Sequence, residues 1–179
     1  MTPFSLLPFT PQDSPRITLT GQAHRVASQL TLDYHLTGDL TILKIAKPEP
    51  FPQRQDHLWQ TTCFEFFLGV PGRSDYWEFN LSPAGHWNCY AFTNYRQGMT
   101  TELAFAALPF TVLTQEQDCH LSLTLDLASL NLADFPWELA IATVVETQAG
   151  NLSYWALTHP RSAADFHCRE SFILSLPNP

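Results

Sequence analysis

Hydrophobic and polar residues alternate with a period close to two along most of this chain. The first clear case runs from Leu30 to Leu36, where every second side chain is hydrophobic. This period is typical of β-strands with one buried face. Gly38 and Asp39 follow as a tight turn, so the pattern predicts a hairpin in which residues 40–46 run back along the first strand.

A meander of three antiparallel strands is predicted after a proline-containing loop at residues 48–56. The three strands cover residues 61–70, 75–82 and 86–95, and turns containing Pro and Gly join them. Side chains alternate between the two faces of a strand, and Glu65, Glu78 and Asn80 fall at matching positions. We therefore expect these three polar side chains to emerge from one face of the sheet.

The rest of the chain continues the same pattern. It predicts short strands at residues 105–113, 120–127, 137–147, 153–158 and 171–176, and one short helical turn within residues 128–134. Roughly ten short strands with turns between them are typical of a sandwich or barrel. We predict an all-β fold, a two-sheet antiparallel β-sandwich of jelly-roll-like type, as a single domain over residues 1–179.

Composition narrows the classes of partner. The formal net charge is −8 and Lys and Arg form no cluster, so neither nucleic acid nor an anionic membrane is expected as a partner. Pro3, Pro8 and Pro11 interrupt the N-terminal residues, which also lack a basic region, so no signal peptide is predicted. No stretch has the length of a membrane span. A cytoplasmic location is the expectation, and the oligomeric state is left open.

The sequence carries no motif for a catalytic nucleophile. It has neither GxSxG nor a glycine-rich phosphate loop, so nucleotide cofactors are not expected. Glu65 and Glu78 could form a glycosidase pair, but neighbours on one wall do not flank a scissile bond. We therefore predict that the protein is not an enzyme.

The four cysteines are scattered and include no CxxC motif, which favours reduced thiols. A disulfide between Cys63 and Cys89 is possible if their strands share a face of the sheet.

Two tryptophans accompany the polar face. Trp59 precedes the strand at 61–70, and Trp155 lies on a late strand. A pyranose has an apolar face and a rim of hydroxyls, so indole rings beside carboxylate and amide groups are typical of a sugar site. The alternatives are structural: the polar face simply meets solvent, and each indole anchors the core.

The C-terminal region contributes further candidates. His159, His167 and Arg169 lie close together in the sequence. Their spacing matches no strong zinc pattern, so no metal is predicted. Arg169 could clamp one of the carboxylates on the sheet, which would be structural as easily as functional. Tyr90, on the strand at 86–95, is a further candidate ligand contact.

Three blocks of the sequence resemble a known family. The blocks are LWQTTCFEFFL, then YWEFNLSPAGHWNCYAF with NYRQGM, and finally YWALTHPRSAADFHCRESFILSL. They are similar to the DOMON-like proteins, relatives of the family 9 carbohydrate-binding modules, over most of the chain. The resemblance implies a β-sandwich with a ligand site on or near one face, and members of the wider superfamily bind either sugars or haem.

The resemblance also implies roles for individual residues. In family 9 modules two Trp side chains enclose a sugar ring, and acidic, amide and Arg groups bond its hydroxyls. Trp59 resembles the first Trp, Trp155 the second, and Glu65 matches the acidic position. Haem-binding relatives use a Met with a His or a Lys as axial ligands. Here the only methionines are Met1 and Met99, with Met99 in a predicted loop, and His159 or His167 could supply one ligand while the sequence indicates no second one.

The sequence thus predicts a non-catalytic module that binds a small saccharide or polyol without a cofactor. The candidate ligand-binding residues are Trp59, Glu65, Glu78, Asn80, Tyr90, Trp155, His159, His167 and Arg169. Two alternatives stay open: a haem b domain for electron transfer, and a protein-interaction domain without a small ligand.

Overall fold

The computed structural model describes residues 1–178 and is built almost entirely of strands. The strands are β1 (Thr2–Ser5), β2 (Leu7–Pro8), β3 (Ile17–Val26), β4 (Gln29–Gly38), β5 (Cys63–Gly69), β6 (Tyr76–Leu81), β7 (Trp87–Phe92), β8 (Thr100–Thr101), β9 (Phe110–Thr114), β10 (Asp118–Asp126), β11 (Trp137–Glu146), β12 (Leu152–Ala156) and β13 (Leu174–Leu176). Short 3-10 helices lie at Leu40–Ile42, Leu58–Gln60, Ala128–Leu130 and Arg169–Ser171. No helix within residues 1–178 is long and apolar enough to cross a membrane.

The strands form two antiparallel sheets. The smaller sheet has the order β1-β3-β4-β10-β9, and the larger has the order β2-β12-β11-β5-β6-β7-β8, with β13 also paired to β11. The predicted antiparallel β-sandwich of two sheets is therefore confirmed. The meander of β5, β6 and β7 lies within the larger sheet, as the turns between these strands predicted.

The hydrophobic core lies between the sheets. Leu32, Tyr34 and Leu36 of β4 are buried in it, as are Phe64 and Phe66 of β5. The hydroxyl of Tyr34 crosses the core and donates a hydrogen bond of 2.8 Å to the main-chain oxygen of Glu65. Because side chains alternate along β5, Cys63, Glu65 and Phe67 point away from the core, onto the outer face of the larger sheet.

Residues 40–46 do not form the predicted return strand. The carboxylate of Asp39 accepts a hydrogen bond from the backbone N–H of Thr41, which caps the 3-10 helix Leu40–Ile42. Leu40 and Leu43 are buried in the core, so the apolar pattern is satisfied without a strand. The actual hairpin pairs β4 with β3, which begins earlier in the chain.

The strand β3 was not predicted because a glycine interrupts its pattern. Gly21 pairs with Tyr34, and the ring of Phe4 packs over it. A Cβ atom at Gly21 would lie 2.3 Å from the Phe4 ring and 2.0 Å from the carbonyl oxygen of Asp33. The glycine is therefore required by close packing rather than by a turn.

All four cysteines are free and buried. Cys63 lies near Asn80 on the outer face of the larger sheet, whereas Cys89 belongs to the core. The two thiols are on opposite faces, so the disulfide considered from the sequence does not form.

We expect the protein to behave as a fully reduced chain. Titration with a thiol reagent should detect 4 thiols per chain after unfolding in the absence of reductant. The melting temperature should be the same with and without dithiothreitol, because no bridge constrains the unfolded state. Fewer titrated thiols, or a lower melting temperature in reductant, would contradict this assignment.

Candidate functional site

The outer face of the larger sheet carries a second hydrophobic cluster. Its buried members are Phe67, Tyr76, Tyr90, Phe92, Ala140, Ala142, Ala156 and Phe172, with Trp59 and Phe166 packed against them. Three stretches of chain, residues 53–60, 93–99 and 161–173, supply residues that lie over this face, and we call them the covering segments. Between them a cleft of about 490 Å³ is open to solvent, within the usual size range of small-ligand sites.

The cleft is lined by residues of the sheet and of the covering segments. They are Trp59, Gln60, Glu65, Phe67, Glu78, Phe92, Arg96, Met99, Val144, Leu152, Tyr154, Ala164, Phe166 and His167. Hydrophobic and aromatic side chains predominate, and a few polar groups converge among them, which is the usual composition of a small-molecule site.

The three polar residues of the sheet lie together, as their positions in the sequence predicted. Glu65 of β5 pairs with Asn80 of β6, and Phe67 pairs with Glu78, so the two carboxyls are diagonal neighbours on the outer face. Asn80 lies behind Glu78 and donates a hydrogen bond of 2.8 Å from Nδ2 to Oε1 of Glu78. Both glutamates line the cleft.

Burial determines the protonation of these carboxyls. Glu65 is only 2 % exposed, and its Oε1 has no hydrogen-bond partner in the structure. Burial raises the pKa of Glu78 to about 7. Burial and the neighbouring charge of Glu78 raise the pKa of Glu65 well above its ordinary value. At neutral pH the pair therefore retains a proton, so it can both donate and accept hydrogen bonds.

His167 is held neutral beside the carboxyls. Burial, with a smaller effect of Arg96, lowers its pKa to about 4. Its Nδ1 lies 2.8 Å from the hydroxyl of Tyr76, which itself accepts the backbone N–H of Arg96 at 3.2 Å. The hydroxyl proton is thus directed at Nδ1, which leaves the proton of the imidazole on Nε2. That nitrogen lies 3.7 Å from Oε2 of Glu78, so the contact joins a neutral donor to a carboxyl.

Arg96 and Asp165 join two of the covering segments. The Arg96 guanidinium donates to Asp165 at 2.9 Å, and the Tyr95 hydroxyl donates to the same carboxylate at 2.7 Å. Asp165 also accepts the backbone N–H of His167 at 3.2 Å, which positions the imidazole. The sequence patterns did not single out Arg96, although it lies within the block NYRQGM.

Trp59 is positioned by the residues behind it. Its ring meets Tyr90 edge-on, with the ring centroids 5.8 Å apart. The Tyr90 hydroxyl donates to Asp56 at 2.7 Å, and the Asn88 amide donates to the same carboxylate at 2.9 Å. Tyr90 is itself buried and supports Trp59 from below rather than lining the cleft.

Trp155 does not reach the cleft, contrary to its predicted role. It pairs with Thr143 of β11 and points into the core, where it is 4 % exposed. Its indole N–H donates to Ser153 Oγ at 3.0 Å. The adjacent residue, Tyr154, faces the opposite way and lines the cleft. If a second aromatic ring contacts a ligand from this strand, it is therefore Tyr154.

His159 and Arg169 also lie away from the cleft. Nε2 of His159 is 2.8 Å from the main-chain oxygen of Leu7, at the edge of the sheet. Arg169 donates to Glu138 at 3.0 Å and to the Val70 carbonyl at 2.9 Å, so it clamps neither Glu65 nor Glu78. Contacts formed by loops have no period, so the sequence pattern could not distinguish Arg169 from Arg96.

The cleft residues of a type that can ligate a metal ion or haem iron include His167, Met99, Glu65 and Glu78. Among residues 1–178, no group of three or more His, Cys, Asp and Glu side chains is arranged to hold a metal. Met99 and His167 both line the cleft. Nε2 of His167 lies 3.7 Å from Oε2 of Glu78, and Oε1 of Glu65 is buried without a hydrogen-bond partner, so the groups beside this imidazole do not suit an apolar haem macrocycle.

Comparison with solved structures identifies proteins of the same fold. A proposed carbohydrate-binding protein from Bacteroides uniformis superposes with a TM-score of 0.70 at 13 % identity, over 98 % of this chain and 84 % of that chain. A family 9 carbohydrate-binding module from Caldicellulosiruptor kristjanssonii, solved in complex with glucose, superposes with a TM-score of 0.55 at 10 % identity, over 92 % of this chain and 78 % of that one.

A structure of a family 9 module from the same organism, in complex with cellotriose, gives a TM-score of 0.51 at 9 % identity, over 84 % of this chain and 70 % of that one. No protein-family model and no curated protein matches the sequence. At these identities the likeness establishes the fold alone, and that fold is the β-sandwich of the family 9 modules.

Proposed function

We propose that this protein is a non-catalytic module that binds a small saccharide or polyol in the cleft of its larger sheet. One observation carries the proposal: Oε1 of Glu65 is buried without a hydrogen-bond partner at a residue that lines a cleft open to solvent. A buried polar atom of this kind is costly unless a ligand or water satisfies it. The proposal includes the DOMON-like relationship and a cytoplasmic location.

The groups around Glu65 suit the hydroxyls of a sugar. The glutamate pair offers both acceptors and a donor, and Nε2–H of His167 adds a second donor. Trp59 supplies a flat apolar surface for the C–H face of a pyranose ring, and Tyr154 lines the cleft as a further aromatic ring. Affinity should be modest, because each hydroxyl gives up water for the bond it makes.

The two carboxyls are poorly placed for glycoside hydrolysis. They are diagonal neighbours on adjacent strands, about 7–8 Å apart at the backbone, and both rise from the same wall of the cleft. Hydrolysis requires the two groups to flank the bond that breaks. Binding without reaction is therefore the function that this geometry favours.

Truncation of Trp59 tests the proposed role of the cleft. We expect Trp59→Ala to weaken saccharide binding by roughly 5- to 150-fold, because the variant loses an aromatic contact worth about 1–3 kcal/mol. Isothermal titration calorimetry and amide NMR shifts with glucose, cellobiose and cellotriose would measure the change. Phe51→Ala is the matched control, since Phe51 is 77 % exposed and lies outside the cleft.

The proposal fails if the unmodified protein binds no member of a wider panel of mono- and disaccharides and polyols at millimolar concentration. It fails equally if Trp59→Ala and Phe51→Ala bind alike.

A further inference from the structure

The cleft has an excess of acidic groups. Arg96 is the one lysine or arginine among the described residues that line it, and its guanidinium is bound to Asp165 at 2.9 Å. Arg96 lowers the pKa of Glu78 less than burial raises it. His167 is neutral near pH 7. Glu65 and Glu78 are therefore left without a counter-charge of their own.

Both acidic residues line the cleft, and one of their oxygens lacks a hydrogen-bond partner. Glu65 is 2 % exposed and lines the cleft, and its buried Oε1 receives no hydrogen bond from the protein. A sugar hydroxyl would give this oxygen a hydrogen bond, but it would bring no positive charge to balance the carboxyl pair when the pair is ionised. An ammonium group supplies N–H donors and a positive charge together, and hydrogen bonds between charged partners are roughly twice as strong as neutral ones.

The aromatic lining favours the same ligand. Trp59 and Tyr154 line the cleft with the two carboxyls, and the faces of such rings attract cations as well as the C–H groups of a sugar. A saccharide with one amine can therefore use the rings and the acidic pair at once.

We infer that the cleft selects a saccharide bearing a protonated amine, a hexosamine, over a neutral sugar of the same size, an inference that rests on the proposed saccharide site. The ammonium group lies against Glu65 and Glu78 and takes the place of the proton that they share. That proton leaves the carboxyl pair for the buffer as the ammonium binds, so charge is balanced and no covalent bond of the ligand changes.

Calorimetry with three matched ligands tests this inference. Glucosamine, glucose and N-acetylglucosamine would be titrated into the protein at pH 6.5 in two buffers of different ionisation enthalpy. We expect glucosamine to bind about tenfold more tightly than glucose. Protons should be released with glucosamine and not with the two neutral sugars. The isosteric variant Glu65→Gln should bring the ratio of the glucosamine and glucose affinities close to one.

The outcomes separate this inference from the proposal on which it rests. Equal binding of glucosamine and glucose without proton release overturns the amine preference and leaves the saccharide site standing. Tighter binding of N-acetylglucosamine than of glucosamine does the same. An unchanged affinity ratio in Glu65→Gln removes the acidic pair as its cause. Failure of all sugars and polyols to bind overturns both.

Discussion

Replacing Glu65 by leucine is expected to stabilise the protein and to abolish saccharide binding. The carboxyl is buried, and its Oε1 has no hydrogen-bond partner, so folding removes it from water without full compensation. An apolar side chain of similar size avoids this cost, which is about 1–3 kcal/mol. The same variant lacks the group that would bond the ligand. Thermal or urea unfolding and sugar titration measure the two effects.

Asn80→Leu is the matched control, because Asn80 pairs with Glu65 on the same face. Its amide donates to Glu78, so leucine would leave Oε1 of that carboxyl without its donor. We expect this variant to lose about 1–3 kcal/mol in the free energy of unfolding. A Glu65→Leu protein that is less stable than the unmodified one would refute the view that Glu65 is retained for binding at the expense of stability.

The free energy of unfolding is expected to fall as pH rises from 4.5 to above 7. Burial raises the pKa of Glu78 from 4.5 to about 7, so across this range the folded protein holds a proton that the unfolded chain has released. This shift corresponds to about 3 kcal/mol for Glu78 alone. Glu65, whose pKa is also raised by burial, acts in the same direction.

His167 opposes this trend over part of the range. Burial lowers its pKa from 6.5 to about 4, so the unfolded chain binds a proton there that the folded protein does not. Its contribution therefore grows as pH rises from 4 to 6.5, by about 3 kcal/mol. We expect the decline in stability to be shallow below pH 6.5 and steeper just above it.

Variants can distinguish the contribution of Glu65 and Glu78 to the pH dependence of stability from that of His167. Urea unfolding between pH 4 and pH 8 should show a steeper decline for His167→Gln than for the unmodified protein. The double variant Glu65→Gln with Glu78→Gln should instead gain stability as pH rises toward 6.5, because His167 then acts alone. If the double variant kept the decline of the unmodified protein, other groups would have to be responsible for it.

The alternation of hydrophobic and polar residues predicted which side chains share a face of a strand. Glu65, Glu78 and Asn80 share a face because each stands at an alternate position in a strand of a simple meander. Alternation could not place Trp155, because Tyr154 and Trp155 are adjacent aromatics and either one could face the core. The register with Thr143 decides between them, and that register forms only in the folded sheet.

The covering segments were the least predictable part of the site. Arg96, Asp165 and His167 meet through hydrogen bonds between loops that are far apart in the sequence. Such contacts follow neither a period of two nor a helical period. The 3-10 helix at Leu40–Ile42 was not predicted for a related reason. Leu40 and Leu43 fit an alternating pattern only in part, and the local backbone conformation is instead determined by the hydrogen bond from Thr41 N–H to the Asp39 carboxylate.

The covering segments line the cleft without taking part in the hydrophobic core between the sheets. They contribute no residue to the hydrophobic core between the two sheets, whereas they supply half of the residues around the cleft. Substitutions there can accumulate without a cavity or a clash in the interior of the sandwich. Half of the cleft lining can thus change while the residues of the core stay the same. The same architecture occurs in a chain that is only 13 % identical to this one.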